Sequence, residues 1–365
     1  MRDRVKRMFG KAGKPLDAMV FVNSVEPHLD QTFFYVTDVP SGLFEGCTAV
    51  AFPDGRVEMF TSELEAESAR AAPDVNVNVF TTRDDQAKQL QKLLGSSGKI
   101  GLNFHEITYE SFLGLKKEVP QGEWSDVSEA IRRTRVVKDA KEIERLRAAG
   151  RIGTKVAEEI PKMLKVGMTE LELAAEMEHR MNLHGAAGRS FGTIVAFGAH
   201  GAEPHFSPTD TKLAKGTTMV CDFGALYQRY CSDITRSYAF GRPPADRKAI
   251  HDKVEEAQRA AFDAIRAGVP AKEPHLAAAK VIDSSPWKGR FIHGLGHSIG
   301  LAVHDGFGMN GRNEELLEEG MCLTVEPGIY VPGVGGVRIE DDILVTKKGY
   351  EPLTTAPRGY LEVGR

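Results

Sequence analysis

The segment TTMVCDFGALYQRYCSDITRSYAF (217–240) restricts the possible folds of this chain more than any other. It reads as two apolar strands joined by a turn, and each strand carries an aspartate, Asp222 and Asp233, where a buried strand would normally carry a hydrophobe. With the turn centred between Tyr227 and Gln228, the two aspartates face each other directly across the pair, with Cβ atoms about 4.5–5.5 Å apart. Like charges so placed repel, so the arrangement calls for positive charge between them, which a metal pair would supply. The alternative is two solvated loop aspartates, the reading that DFG and DIT would favour if each stood alone.

Three more candidate ligands follow. HGLGHSIGLAVHD carries His293, His297 and His304 among glycines 294, 296 and 300, which would let backbone approach a ligand closely. EPGIYVPGVGGVRIEDD supplies Glu326 and Glu340, each at the end of an apolar run where an unpaired acid would be costly to bury. Asp222, Asp233, His297, Glu326 and Glu340 together offer hard oxygen donors and one imidazole. That set suits Mn²⁺, Co²⁺, Fe²⁺ or Zn²⁺ better than it suits a thiolate-selecting structural site. Arg338 lies two residues before Glu340, so strand alternation puts both on one face; a salt bridge between them is the competing explanation. Thr235, two residues after Asp233, is a candidate hydroxyl behind the ligands, or simply strand packing.

At 365 residues the chain predicts two domains. Residues 1–135 alternate strand and helix signals: DAMVFVN, a hairpin around Pro53-Asp54-Gly55, the alternating VNVNVF, helix 85–95, KIGLNF, and a short helix near 109–118. This is an α/β domain. Residues 136–365 open with a long amphipathic helix, 138–164, in which Ile143, Leu146, Ile152 and Val156 recur at helical spacing. A second helix follows, with Thr169 as N-cap and Glu172 closing a capping box. Strand-rich segments and helices at 245–266 and 274–283 complete an α+β domain. The basic start, MRDRVKRMFGKAGK, lacks the apolar stretch of a secretory signal and is expected to be a solvated, frayed end.

Net charge of −4 gives no nucleic-acid signature, and no window approaches 18 uncharged apolar residues, so neither a nucleic-acid nor a membrane partner is expected. Four cysteines without a CxxC pair predict reduced thiols and a cytoplasmic setting.

In their order the motifs resemble those of the pita-bread metallopeptidases: the two aspartates eleven residues apart, then His, Glu and Glu, with His205 seventeen residues before the first Asp. DFGALYQRYCSDITRSYAFG, FIHGLGHSIGL, TVEPGIY and GGVRIED, with FFYVTDVP and the EIERLR helix, make the chain similar to an Xaa-Pro dipeptidase (prolidase) or Xaa-Pro aminopeptidase. The resemblance implies a creatinase/prolidase-like N-terminal α/β domain and a pita-bread (creatinase/aminopeptidase-like) α+β catalytic domain. It also implies a homodimer, and an Xaa-Pro peptide as substrate. Two divalent ions per chain, Mn²⁺ or Co²⁺ first, would sit between the ligands. Asp222 would chelate one, Asp233 and Glu340 would bridge, and His297 and Glu326 would complete the second. Glu326 would handle the proton of the attacking water, His205 and His304 would hold the scissile carbonyl, and Arg338 would support the substrate pocket. One departure is His304-Asp305 where the family usually has His-Glu. A methionine aminopeptidase, a creatine-hydrolase-like enzyme or a non-catalytic pita-bread binding module remain as alternatives. The large N-terminal domain counts against the first, and the full ligand set against the other two.

Overall fold

The computed structural model describes residues 2–364, which divide into two compact units that meet in sequence between residues 135 and 136. The first unit runs α1 (Arg2–Lys11), β1 (Ala18–Val22), α2 (Gln31–Thr37), β2 (Thr48–Ala51), β3 (Val57–Ser62), α3 (Ala66–Ala69), β4 (Asn76–Phe80), α4 (Arg83–Leu94), β5 (Lys99–Leu102), α5 (Tyr109–Glu118), β6 (Glu123–Asp126) and α6 (Ser128–Val136). Its strands form one mixed sheet in the order β4-β3-β2-β1-β5-β6. Central β1 is apolar and buried, whereas β4 lies at the edge with Asn76 and Val79 exposed and only Phe80 buried, so its exposure does not follow the alternation of its sequence. The β2–β3 hairpin turns at Gly55, whose φ of 91° favours glycine.

The basic N-terminus is not frayed. It forms the amphipathic helix α1, which buries Val5 and Met8. Its buried Arg4 lies 3.8 Å from Asp38 and stacks over the Tyr35 ring. Arginines separated by apolar residues at helical spacing were the missed signal.

The second unit begins with α7 (Ala140–Met163) and α8 (Glu170–Leu183). Both start with reciprocal capping boxes, Asp139 with Glu142 and Thr169 with Glu172. Strands β7 (Gly188–Arg189), β8 (Ile194–Phe197), β9 (Thr217–Phe223), β10 (Ala225–Tyr227), β11 (Tyr230–Cys231) and β12 (Ile234–Phe240) follow, then α9 (Ala245–Ala264) and α10 (Lys272–Asp283). The remainder is β13 (Gly296–His297), β14 (Gly308–Met309), β15 (Cys322–Val325), β16 (Gly328–Val331), β17 (Gly335–Arg338), β18 (Asp341–Val345), β19 (Tyr350–Pro352) and β20 (Glu362–Val363). Two large apolar cores and a small cluster around Ile194, Ala196 and Val220 hold this unit. In one, Ile152, Val156 and Ile160 of α7 pack on Met219, Phe223 and Ile234 of β9 and β12. In the other, Val254, Ala257 and Ala261 of α9 pack on Leu323, Val325 and Ile343 of β15 and β18. The polar faces of these strands are turned toward one cleft.

The register of β9 with β12 corrects the expected pairing. Asp222 stands opposite Thr235, and Tyr227 opposite Tyr230, so the turn centres on Gln228 and Arg229. These two residues take φ of 45° and 71°, the left-handed pair of a tight hairpin turn usually built from Asn and Gly. Nothing in their side chains advertises that conformation. Asp233 is therefore the diagonal neighbour of Asp222, and it shares a face with Thr235.

Candidate active site

All eight predicted site residues, His205, Asp222, Asp233, His297, His304, Glu326, Arg338 and Glu340, line one cavity of about 690 Å³. Backbone bonding explains how segments far apart in sequence meet there. The Glu340 N–H donates to the Thr235 carbonyl at 3.1 Å, and Arg338 and Ser237 exchange hydrogen bonds at 3.2 and 3.0 Å, docking β17 on β12. The Glu326 N–H donates to the Leu295 carbonyl at 2.8 Å, and the Thr324 hydroxyl accepts from the His297 N–H at 3.0 Å. An ideal Cβ on Gly296 would fall 2.0 Å from the Thr324 carbonyl oxygen, so only glycine lets β13 lie this close to β15. The same holds at Gly300, where the crowding atom is an Asp305 carboxylate oxygen. Gly294 and Gly296 also line the cleft itself.

The charges are arranged around a centre. Behind it, Arg338 Nη2 bonds the Asp222 carboxylate, its Nε donates to Thr235 Oγ1 at 3.1 Å, and its Nη1 donates to the Tyr330 hydroxyl at 2.9 Å. Thr235 in turn donates to Glu340 Oε2 at 2.5 Å. Arg236, on the opposite face of β12, bonds the Glu340 carbonyl and the Asp341 carboxylate and so fixes the backbone under that ligand. His293 holds its Nδ1 proton against the Gly294 carbonyl at 2.8 Å, leaving Nε2 to accept from Tyr330 at 2.9 Å. Burial, then Arg338, pushes this imidazole down to about 4, so it is neutral at pH 7.

His297 decides what the centre wants. Its Nδ1 lies 3.3 Å from the Ser298 carbonyl, which fixes the proton on that nitrogen. The Nε2 lone pair then faces Asp233 Oδ2 at 3.7 Å and Glu326 Oε1 at 3.5 Å. Burial holds its protonation down to about 4. A lone pair pointed at two carboxylate oxygens is repulsive unless a cation lies between. Donor atoms of Asp233, His297 and Glu340 all lie within 4.8 Å of one another. Asp222 Oδ1 and Asp233 Oδ1 are buried without a hydrogen-bond partner. Burial, then the neighbouring carboxylates, raises Asp233 and Glu340 far above the usual range, while burial pushes Glu326 up to about 8. Four carboxylates against one guanidinium thus fit divalent cations of hard or borderline character.

His304 sits beside His297, with ring centroids 4.1 Å apart, on the open side of the cleft, where His205 also lies. Asp305 turns away and pairs with the fully buried Lys138 at 3.3 Å. Tyr330, Thr324 and Lys138 were not singled out from the sequence. Tyr330 had a usable signal, since Glu326, Gly328 and Tyr330 alternate onto one face; Lys138 had none.

Carboxylates and a neutral imidazole converging in a cleft define a metal-dependent hydrolase site. The family model described as metallopeptidase family M24 matches residues 144–347, and the creatinase/prolidase N-terminal domain model matches residues 2–137. The chain is 37% identical over 302 residues to the Xaa-Pro dipeptidase of Pyrococcus horikoshii, covering 82% of this chain and 84% of that protein. The X-Pro aminopeptidase of Thermotoga maritima superposes with a TM-score of 0.91 at 32% identity, covering 99% of this chain and 100% of that one. The Xaa-Pro dipeptidase of Bacillus anthracis gives 0.89 at 32% identity, with 99% of each chain covered. The chain belongs to metallopeptidase family M24 and is built as a creatinase/prolidase N-terminal domain followed by a pita-bread catalytic domain. No helix among the described residues is long and apolar enough to cross a membrane.

Proposed function

We propose that this enzyme hydrolyses the peptide bond before proline, in Xaa-Pro dipeptides or in peptides that begin Xaa-Pro, with two divalent ions, Mn²⁺ or Co²⁺ in preference to Zn²⁺ or Fe²⁺. The observation that carries the reading is the His297 lone pair aimed at Asp233 and Glu326 within a full carboxylate set. The named activities of the similar dipeptidases and aminopeptidase supply the substrate class. Asp222, Asp233, His297, Glu326 and Glu340 would hold the ions between them. When bound, the ions polarise the scissile carbonyl and acidify a water. Glu326, on the cleft wall beside His297, would take the water's proton and pass it toward the leaving proline nitrogen. His304 and His205 donate to the carbonyl oxygen as it becomes negative. Arg338 spans Asp222, Thr235 and Tyr330, holding the back wall against which the substrate rests. A homodimer and a cytoplasmic setting belong to the same reading; the four cysteines are buried and form no disulfide, as a reducing compartment permits.

The test is a comparison of Met-Pro and Leu-Pro, and their Xaa-Pro-Yaa extensions, with matching Xaa-Ala peptides across Mn²⁺, Co²⁺ and Zn²⁺, together with metal analysis. Much faster cleavage of the proline series and close to two ions per chain are expected. Equal rates on Ala and Pro substrates would sink the specificity. Asp233→Asn should abolish turnover and lower metal content with the far-UV spectrum intact; unfolding on metal loss would instead make the ions structural.

A further inference from the structure

Glu170 is the first residue of α8 and fully buried, yet it lines no part of the cleft. Its carboxylate is saturated. Oε1 accepts from the Phe197 N–H at 2.7 Å and from His200 Nδ1 at 2.8 Å; Oε2 accepts from the Thr209 N–H at 3.0 Å and the Thr209 hydroxyl at 2.6 Å. Four donors fill the acceptor capacity of an ionised carboxylate, and the N-terminus of a fourteen-residue helix favours its charge.

Those donors are not scattered. Phe197 ends β8, Thr209 closes the loop that follows, and His200 lies between them. One carboxylate therefore ties entry, middle and exit of residues 197–209. The loop contributes Ala202, Glu203, Pro204 and His205 to the cleft wall. The imidazole of His200, oriented by Glu170, stacks on Phe206 with centroids 4.3 Å apart and planes 25° from parallel. Phe206 is the chain neighbour of His205, and its ring also packs against Ile194, Ala196 and Val220. The loop's far side presses on β17, where an ideal Cβ on Gly336 would fall 2.0 Å from the Gly201 carbonyl oxygen. The loop has little regular structure of its own, so its shape depends on these few contacts.

We infer that Glu170 is a positioning residue: through His200 and Phe206 it sets the conformation of the loop that presents His205 to the substrate. The inference rests on the proposed role of His205 at the scissile carbonyl. Glu170→Gln keeps the shape of the side chain but replaces one acceptor oxygen with an amide that faces donors. Loosening a group that holds a reacting atom costs about 10- to 100-fold in kcat.

Two measurements test this. Amide hydrogen exchange of full-length Glu170→Gln should quicken over residues 198–208 and stay unchanged over 217–240 and 322–345; unchanged exchange in the loop overturns the inference, and this readout needs no turnover. In a double-mutant cycle, Glu170→Gln should lower kcat in the wild-type background but change it less than about threefold in a His205→Ala background, because the group it positions is already gone. Equal losses in both backgrounds, or loss of bound metal in Glu170→Gln, would show a merely structural role. Should Glu170→Gln not fold, His200→Phe, which keeps the stack and removes the donor, enters the same cycle, with His200→Asn, which retains a donor near Nδ1, expected to rescue it. A wild type that fails to cleave Xaa-Pro peptides refutes the functional reading, while the exchange result still decides the role of Glu170.

Discussion

Asp305 stands where the family usually has Glu, and the structure says what replacing it will do. Its carboxylate pairs with Lys138 at 3.3 Å, with the lysine side chain 0% and the aspartate side chain 5% exposed. Taking one partner from a buried pair costs about 3–5 kcal/mol, because the remaining charge stays buried and unmatched. Asn retains an oxygen that can accept from the ammonium, so Asp305→Asn is expected to cost about 2–3 kcal/mol, a fall of roughly 5–10 °C in the midpoint for a unit of this size. Asp305→Glu is not free either. The carboxylate already occupies the space a side chain on Gly300 would need, 2.0 Å from its ideal Cβ, so an added methylene must move Lys138 or the loop, at about 1–3 kcal/mol. The tolerance that family usage suggests is thus not expected here. His304→Ala should behave in the opposite way, with kcat lower by roughly 10²–10³ and the midpoint little changed. Lys138→Met combined with Asp305→Leu should recover most of the stability lost in Asp305→Asn, since apolar replacement of a whole buried pair is often neutral. The assay is thermal unfolding by circular dichroism alongside kcat on Met-Pro at saturating metal. If Asp305→Asn matches His304→Ala in kcat while its midpoint is unshifted, Asp305 is in the proton path and the reasoning fails.

Thr235→Val removes the hydroxyl that orients Glu340, so titration calorimetry should show metal affinity weakened about 10- to 100-fold with the fold intact, and Thr235→Ser should restore it; an unchanged affinity refutes the role. His251 is buried in α9 with neither ring nitrogen hydrogen-bonded, and burial holds it at about 4 against an ordinary 6.5. Because the folded value is depressed, its contribution is complete above pH 6.5 and is lost as pH falls toward 4, by on the order of 3 kcal/mol. Urea unfolding at pH 7, 5.5 and 4.5 should therefore show a shallower acid slope for His251→Leu than for the wild type, and parallel slopes would exclude it. Gly296→Ala should displace β13 from β15 and abolish activity, checked by kcat and metal content, because its methyl would meet backbone at 2.0 Å.

Much of this was legible in the sequence, for reasons that can be named. A carboxylate ending an apolar strand stands out because burying it alone is expensive, and Glu326 and Glu340 were each visible that way. Helices α7 and α8 announced themselves by apolar spacing and by capping boxes that the structure contains. The β9–β12 register was not legible, because Gln228 and Arg229 adopt a left-handed turn that their side chains do not favour. The error moved the partner of Asp222 by two positions, from Asp233 to Thr235. A two-residue shift preserves the strand face, so the set of residues facing the cleft survived a wrong register. Glu170 and Lys138 were invisible for another reason. Their partners lie up to 39 and 167 residues away, and no local pattern encodes a contact at such separation.

The cleft is built by two methods on its two sides. The metal-facing carboxylates lie on or beside paired strands whose backbones are fixed by ladder bonds and, under Glu340, by Arg236, which spends all its donor groups on the Thr235, Glu340, Ala356 and Pro357 carbonyls and the Asp341 carboxylate. Such positions are set by register and resist change, as a constellation of like charges demands, since a small outward shift leaves a buried carboxylate with neither cation nor water. The other wall of the cleft is carried on loops: His205 on 197–209, and His304 on the turn after Gly300. Each loop is held by a buried carboxylate outside the cleft, Glu170 for the first and Asp305 for the second. On the roles proposed above, a substitution in either anchor is expected to change how the peptide is held without touching a proposed metal ligand. Differences in peptide length or residue preference between this enzyme and its relatives are therefore expected in these loops and their anchors, while the strand-borne ligands stay the same.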